Sequence, residues 1–249
     1  MAMKIPNKLK DDAITESTLE IRFDSPVTQE IAIARLCDNV PWGTYKLSRL
    51  PLSELPHSVR LQDPNLKYQP LLQYRNSDGP ESVKVGTNVI MIHLIETYLG
   101  WEIFSSNISN LVKILIDRIQ PISIVRIGLR YVNALTSSRH FVNDIRDLNL
   151  KILVADESVE ANSNLIYQKK IGEFHAVMSR IISPAFIMSD KSDGISALVD
   201  IDVASTNAVT AIDHNFDSIM DWIQNAHVYE KEAFFKLLPV RVIDKLKES

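Results

Sequence analysis

The chain has 249 residues, 45% of them hydrophobic and 23% charged, with a formal net charge of -4 and a pI near 5.9. That is the composition of a folded chain with room for a sizeable core, so it argues against disorder. The acidic balance argues against a general nucleic-acid binder, though not against a local basic groove, and a single cysteine, Cys37, excludes an intramolecular disulfide framework or a cysteine-based zinc site.

Residues 1–14 read as a flexible arm or edge segment, too polar for a signal peptide. No apolar run reaches the roughly 18 residues of a membrane span, so no membrane is expected and a cytoplasmic location is the default. Thr18–Phe23 alternates as a strand, with Leu19, Ile21 and Phe23 on one face and Glu20 and Arg22 on the other. A helix is expected from about Gln29 to Asn39, with Thr28 as its N-cap and Cys37 on its buried face. Three prolines punctuate residues 44–66 and predict loop with short strands. Tyr68–Tyr74, Ser82–Gly86 and Val89–Ile95 follow as an antiparallel meander.

Phe104, Ile108, Leu111, Val112, Leu115 and Ile119 recur at helical spacing and predict a helix over 101–119, which Pro121 ends. The strongest strand signal comes next, from Ile122 to Leu135. Within it Val125, Ile127, Leu129 and Tyr131 alternate with Arg126, Gly128 and Arg130. A short helix is expected near 141–148, one long strand over 165–182, and another over 197–204, with a turn at 189–194 between them. The chain then reads as a helix over 210–238, with a break near Ala226–His227.

This order predicts an α+β fold: a large curved antiparallel sheet with helices packed on one face. Residues 15–249 form one domain in this reading. A weak internal echo is compatible with two lobes dividing near residue 97.

The polar strand faces carry the candidate site. Glu20 and Arg22, Arg126 and Arg130, Glu173 and His175, and Asp200 and Asp202 would line one concave surface if their faces converged. Arginine suits bidentate contact with carboxylate or phosphate, so Arg22, Arg126 and Arg130, with Glu20 and His175, form a candidate ligand groove. The plain alternative is a solvated face with cross-strand ion pairs, such as Arg126 with Glu20 or Asp202. Asp200 and Asp202 at i and i+2 could instead hold Mg²⁺ with Glu20, the basis for a metal-dependent phosphoesterase or nucleotide hydrolase with His175 or Glu173 as proton carrier. The remaining histidines make no metal or catalytic motif, and no phosphate loop or nucleophile elbow is present. The apolar end Phe234–Leu238 either packs within the chain or offers a surface for self-association or a partner.

The chain resembles a sporadically distributed, uncharacterised family of bacterial proteins of about 250 residues. Its members show an early acidic-hydrophobic strand, a W-x-x-F helix start, a strand like R-[IL]-G-L-R-Y-[IV]-N and a late H-x(6)-F element. These look like Leu19–Phe23, Trp101 with Phe104, Arg126–Asn133, and His227 with Phe234. The resemblance implies no particular reaction; the family's scattered occurrence implies mobile genes and a role in phage defence or a toxin–antitoxin system. The architecture is also similar to triphosphate-tunnel enzymes, whose opening motif is E-x-E-x-K. Glu20-Ile21-Arg22 departs from that motif by lacking the second acid. Together these readings lead to an expectation of a non-enzymatic binding protein without a cofactor. It would recognise an acidic protein partner or nucleotide; the net charge does not favour nucleic acid.

Overall fold

The computed structural model describes residues 6, 9–154, 156–158, 163–187, 194–206, 209 and 214–247. Its centre is one nine-stranded antiparallel sheet, confirming the α+β class. In chain order the strands are β1 (Ile14–Asp24), β2 (Lys46–Arg49), β3 (Leu72–Arg75), β4 (Glu81–Val85), β5 (Val89–Ile95), β6 (Ser123–Thr136), β9 (Asn164–Ile171), β10 (His175–Ile182) and β11 (Ile195–Ser205). A separate two-stranded ribbon, β7 (Leu153–Val154) with β8 (Glu157–Ser158), precedes β9. The spatial order is β2-β3-β4-β5-β1-β6-β11-β10-β9. The end strands do not pair with each other, so the sheet is open rather than a closed tunnel.

The helices are α1 (Gln29–Cys37), α2 (His57–Gln62), α3 (Pro64–Lys67), α4 (Trp101–Arg118), α5 (Ser137–His140), α6 (Phe216–Leu237) and α7 (Val240–Leu246). The long helices cover one face of the sheet. α6 packs on β6, β10 and β11, α4 on β5 and α6, and α1 on β4 and α4. Alternation explains which face they cover: Leu19, Ile21 and Phe23 of β1 and Ile127, Leu129 and Tyr131 of β6 are all fully buried beneath them. Each such side chain contributes on the order of 1.5–3 kcal/mol by leaving water.

The internal echo becomes topological. β1 is followed by a helix and a meander whose last strand, β5, returns beside β1; α4 follows. β6 is followed by a connection and the meander β9-β10-β11, whose last strand returns beside β6; α6 follows. The two halves join through the β1–β6 ladder into one continuous sheet.

Several expectations change. The span 165–182 is a hairpin, because Gly172 at φ 61° takes a left-handed turn that reverses the chain. The helix expected at 141–148 is replaced by α5 and a single 3-10 turn at Ile145–Asp147. The described part of the N-terminal arm is tied down. Leu9 and Ala13 are buried, and Leu9 bridges to Lys247 beside a bond from Lys10 N–H to the Leu246 carbonyl. α6 runs unbroken through Ala226–His227. Its apolar end is internal, with Phe234, Phe235, Leu237 and Leu238 all buried in the shared core, so it offers no exposed docking surface. The start of that predicted helix at 210–213 and most of the 189–194 turn lie outside the described residues. Among the described residues no helix is long and apolar enough to cross a membrane.

Candidate functional site

The face opposite the helices gathers the predicted charged residues over the three central strands. β1, β6 and β11 stand side by side, with Glu20 opposite Gly128, Arg22 opposite Arg126, and Asp202 opposite Arg130. The register shifts in these ladders fall near strand ends, at Ile14/Glu16, Arg22/Phe23 and Ile195/Ala197. Alternation therefore survives through the centre, and one face receives Glu20, Arg22, Arg126, Arg130, Asp200 and Asp202.

These side chains are paired with one another. Arg126 spans three strands, donating through Nη1 to Glu20 Oε1 at 2.6 Å and through Nη2 to Asp202 Oδ2 at 2.8 Å. Glu20 Oε1 also lies 2.7 Å from Arg22 Nε. Arg130 grips Asp200 in a bidentate pair, Nε to Oδ1 at 2.7 Å and Nη2 to Oδ2 at 2.8 Å. Gly128 makes the bridge geometrically feasible. Its missing side chain leaves a bed for the Arg126 guanidinium, and a Cβ there would stand 2.9 Å from Arg126 Cζ and collide with Nη1. The space over Gly128 is thus filled by the chain's own arginine.

Burial sets the electrostatics. The Glu20, Asp200 and Asp202 side chains are only 12–14% exposed, whereas Arg130 is 46% exposed. Burial lifts the Asp202 carboxyl above its ordinary range despite the attraction of Arg126 and Arg130. The hydrogen bonds from Arg130 to Asp200 hold the Arg130 guanidinium more firmly protonated, against the cost of desolvation. At the rim, His93 Nε2 lies 3.7 Å from Glu16 Oε2, and the attraction of the nearby His93 ring holds the Glu16 carboxyl below its usual value.

A cation at Glu20, Asp200 and Asp202 would have to displace three guanidinium groups, and among the described residues no cluster of three or more ligand-type side chains is placed to hold a metal. His175 does not join this face. It lies on the helix side of β10, stacked on Trp222 at 4.6 Å between ring centres, with Nε2 3.2 Å from the Trp222 carbonyl oxygen. Burial lowers its pKa, as for a satisfied core histidine. Glu173 falls in the β9–β10 turn, where its carbonyl accepts from the Thr206 hydroxyl. Its sequence neighbourhood, Phe174-His175-Ala176-Val177-Met178, has no clean alternation, so the phase could be set only by the turn.

The flanks carry residues that periodicity alone did not select. Ladder registers place Lys46, Arg75 and Lys84 on the same face of β2–β4, and Arg180 and Lys170 on the same face of β10–β9. No acidic residue shares that face on either wing. Met178 and Ile166 add exposed apolar surface there.

Beneath the sheet, residues of three separated motifs meet. Trp101 stacks on His227 at 3.8 Å with planes 10° apart, and Phe104 packs edge-on to Tyr131 at 6.3 Å. The Tyr131 hydroxyl is 3.4 Å from that of Tyr98. Burial, aided by Lys231, depresses His227 to about 4, so it packs as a neutral ring. Cys37 is half-buried, and burial raises its thiol pKa, the opposite of an activated nucleophile.

No protein-family model matches the chain, and no curated protein matches it significantly.

Proposed function

We propose that this chain is a non-catalytic binding protein that docks an acidic protein segment across the open sheet face. The supporting observation is the charge layout of that face. At the centre Glu20, Asp200 and Asp202 pair with three arginines and Glu16 lies beside His93, while the wing strands add five bases, Lys46, Arg75, Lys84, Lys170 and Arg180, and no acid of their own; their nearest acids are the central Asp200, opposite Arg180, and Glu16, which feels Lys84. This local excess runs against the chain's overall charge of -4. The central pairs hold the guanidinium groups in fixed planes. Arg130 spends Nε and Nη2 on Asp200 and keeps its other outward N–H groups for a ligand carboxylate. Such preorganisation lowers the ordering cost of binding. Exposed Met178 and Ile166 would seat apolar residues of the same segment. The neutralisation of Glu20, Asp200 and Asp202 by Arg22, Arg126 and Arg130 favours recognition over metal-assisted hydrolysis.

A fluorescent glutamate-rich peptide supplies the test, in competition with a single-stranded oligonucleotide of equal charge. Binding should weaken with salt. A Lys46→Gln/Lys84→Gln/Arg180→Gln variant, which leaves the central pairs intact, should lose at least about tenfold in affinity. Equal peptide affinity in parent and variant would sink the proposal; a stronger response to the oligonucleotide would reassign the face to nucleic acid.

A further inference from the structure

We infer that the cleft where β1 hands over to α1 is a binding site for a small molecule carrying an oxyanion group, phosphate or carboxylate, with Arg60 as its unneutralised counter-charge. The site lies apart from the central ion pairs and does not depend on the reading of that face.

The cleft encloses about 440 Å³, within the usual range for small-ligand sites. Its walls include the end of β1 at Asp24, the first turn of α1 (Thr28, Gln29 and Glu30), His57, Lys67 and the β4–β5 turn at Thr87 and Asn88. Arg60 does not line this cleft itself; it lines an adjacent crevice of only about 10 Å³ that shares His57, Lys67, Thr87 and Asn88 with it. Arg60 is 6% exposed. Its Nη2 donates to the Gln29 side-chain oxygen at 2.6 Å, on the cleft wall, but its buried Nε–H has no acceptor. No carboxylate among the described residues pairs with it. Desolvation lowers its pKa with no opposing charge to offset it. A buried guanidinium without an anion is strongly disfavoured unless something supplies one.

The neighbouring acids do not fill that role. Asp24 is already engaged by Lys67 Nζ at 2.8 Å, the Tyr68 hydroxyl at 3.1 Å and Asn88 Nδ2 at 3.4 Å. Glu30 is exposed at the rim. The start of α1 adds a second, independent attraction for an anion. The first N–H bonded along the helix is that of Ala32, to the Thr28 carbonyl, and the Thr28 side chain does not cap the end. The N–H groups of Gln29, Glu30 and Ile31 therefore find no acceptor within the helix. An oxyanion here would accept from these N–H groups and neutralise Arg60, with the rest of the ligand extending along the cleft toward His57.

The test uses the full chain and three probes at matched ionic strength: inorganic phosphate, acetate and chloride. Phosphate or acetate, but not chloride, should raise the unfolding midpoint saturably, by roughly 3–5 °C at ten times the dissociation constant. A response to phosphate alone assigns a phosphate ligand; one to acetate alone assigns a carboxylate. Arg60→Met should abolish the response, whereas Arg130→Gln on the sheet face should leave it intact. In the unmodified chain, the amide resonances of Thr28 to Ile31 should move with the effective oxyanion, which gives a readout independent of how the variant folds. An equal rise in chloride, a full response in Arg60→Met, or resonance shifts confined to the sheet face would overturn the inference.

Discussion

Replacing Glu230 by glutamine should stabilise the fold above neutral pH and change the shape of its pH dependence. Glu230 sits on α6, 5% exposed, one helical turn beyond His227 and facing the Tyr98–Tyr131 pair. Burial raises its carboxyl from 4.5 to about 8; Lys231 pulls the other way and Asp12 adds to the rise. Between those values the folded chain holds a proton that the unfolded chain releases. The group's contribution to stability is therefore complete below about 4.5 and is lost as pH rises toward 8. At 1.36 kcal/mol per pKa unit, the whole span is worth about 5 kcal/mol, of which roughly 3 are lost by pH 7. His227 works in the opposite sense. Its folded pKa of about 4 lies below the ordinary 6.5, so its contribution is complete above 6.5 and declines as pH falls toward 4. From pH 4.5 to 6.5 the two slopes offset each other, and only above 6.5 does the Glu230 decline stand alone. Urea unfolding of parent and Glu230→Gln chains, followed by tryptophan fluorescence at pH 5, 6.5 and 8, separates the terms. The glutamine chain should gain roughly 3–5 kcal/mol over the parent between pH 5 and pH 8. It should also expose the slope of His227, to which the likewise lowered His175 and His140 add in the same sense, as stability that rises to pH 6.5 and then levels. An advantage of the same size at pH 5 and pH 8 would refute the buried-carboxyl account.

Two further predictions concern the sheet face. Gly128→Ala, which in an ordinary strand would be neutral or stabilising, should here cost about 1–2 kcal/mol in urea unfolding, because the new methyl evicts the Arg126 guanidinium from between Glu20 and Asp202. Arg126→Met should cost more, about 3 kcal/mol, since it strands the largely buried Asp202 carboxylate and leaves Glu20 to Arg22 alone; a Glu20→Gln/Asp202→Asn background should remove most of that cost, and an unchanged cost in that background would show that packing of the arginine stem, not charge, is what matters.

Much of this molecule could be read from local pattern. Leu19-Glu20-Ile21-Arg22-Phe23 and Val125 to Tyr131 announce strands, because a half-buried strand repeats with period two and the core claims one phase. The same alternation sent Glu20, Arg22, Arg126, Arg130, Asp200 and Asp202 to one face, because their ladders keep register through the middle. Phe104 to Leu115 likewise specify α4 by their 3.6-residue spacing. What tertiary structure alone decided was pairing and phase. Strand order puts β6 between β1 and β11, and only that order lets one arginine bridge acids that are 182 residues apart in sequence. The Gly172 turn reset the phase of β10 and sent His175 into the core, which no periodic signal in its mixed neighbourhood could reveal. Arg60 looked like an ordinary residue of a proline-punctuated loop; its burial without a counter-charge arises from where α2 lands, a long-range event that short-range propensity does not encode.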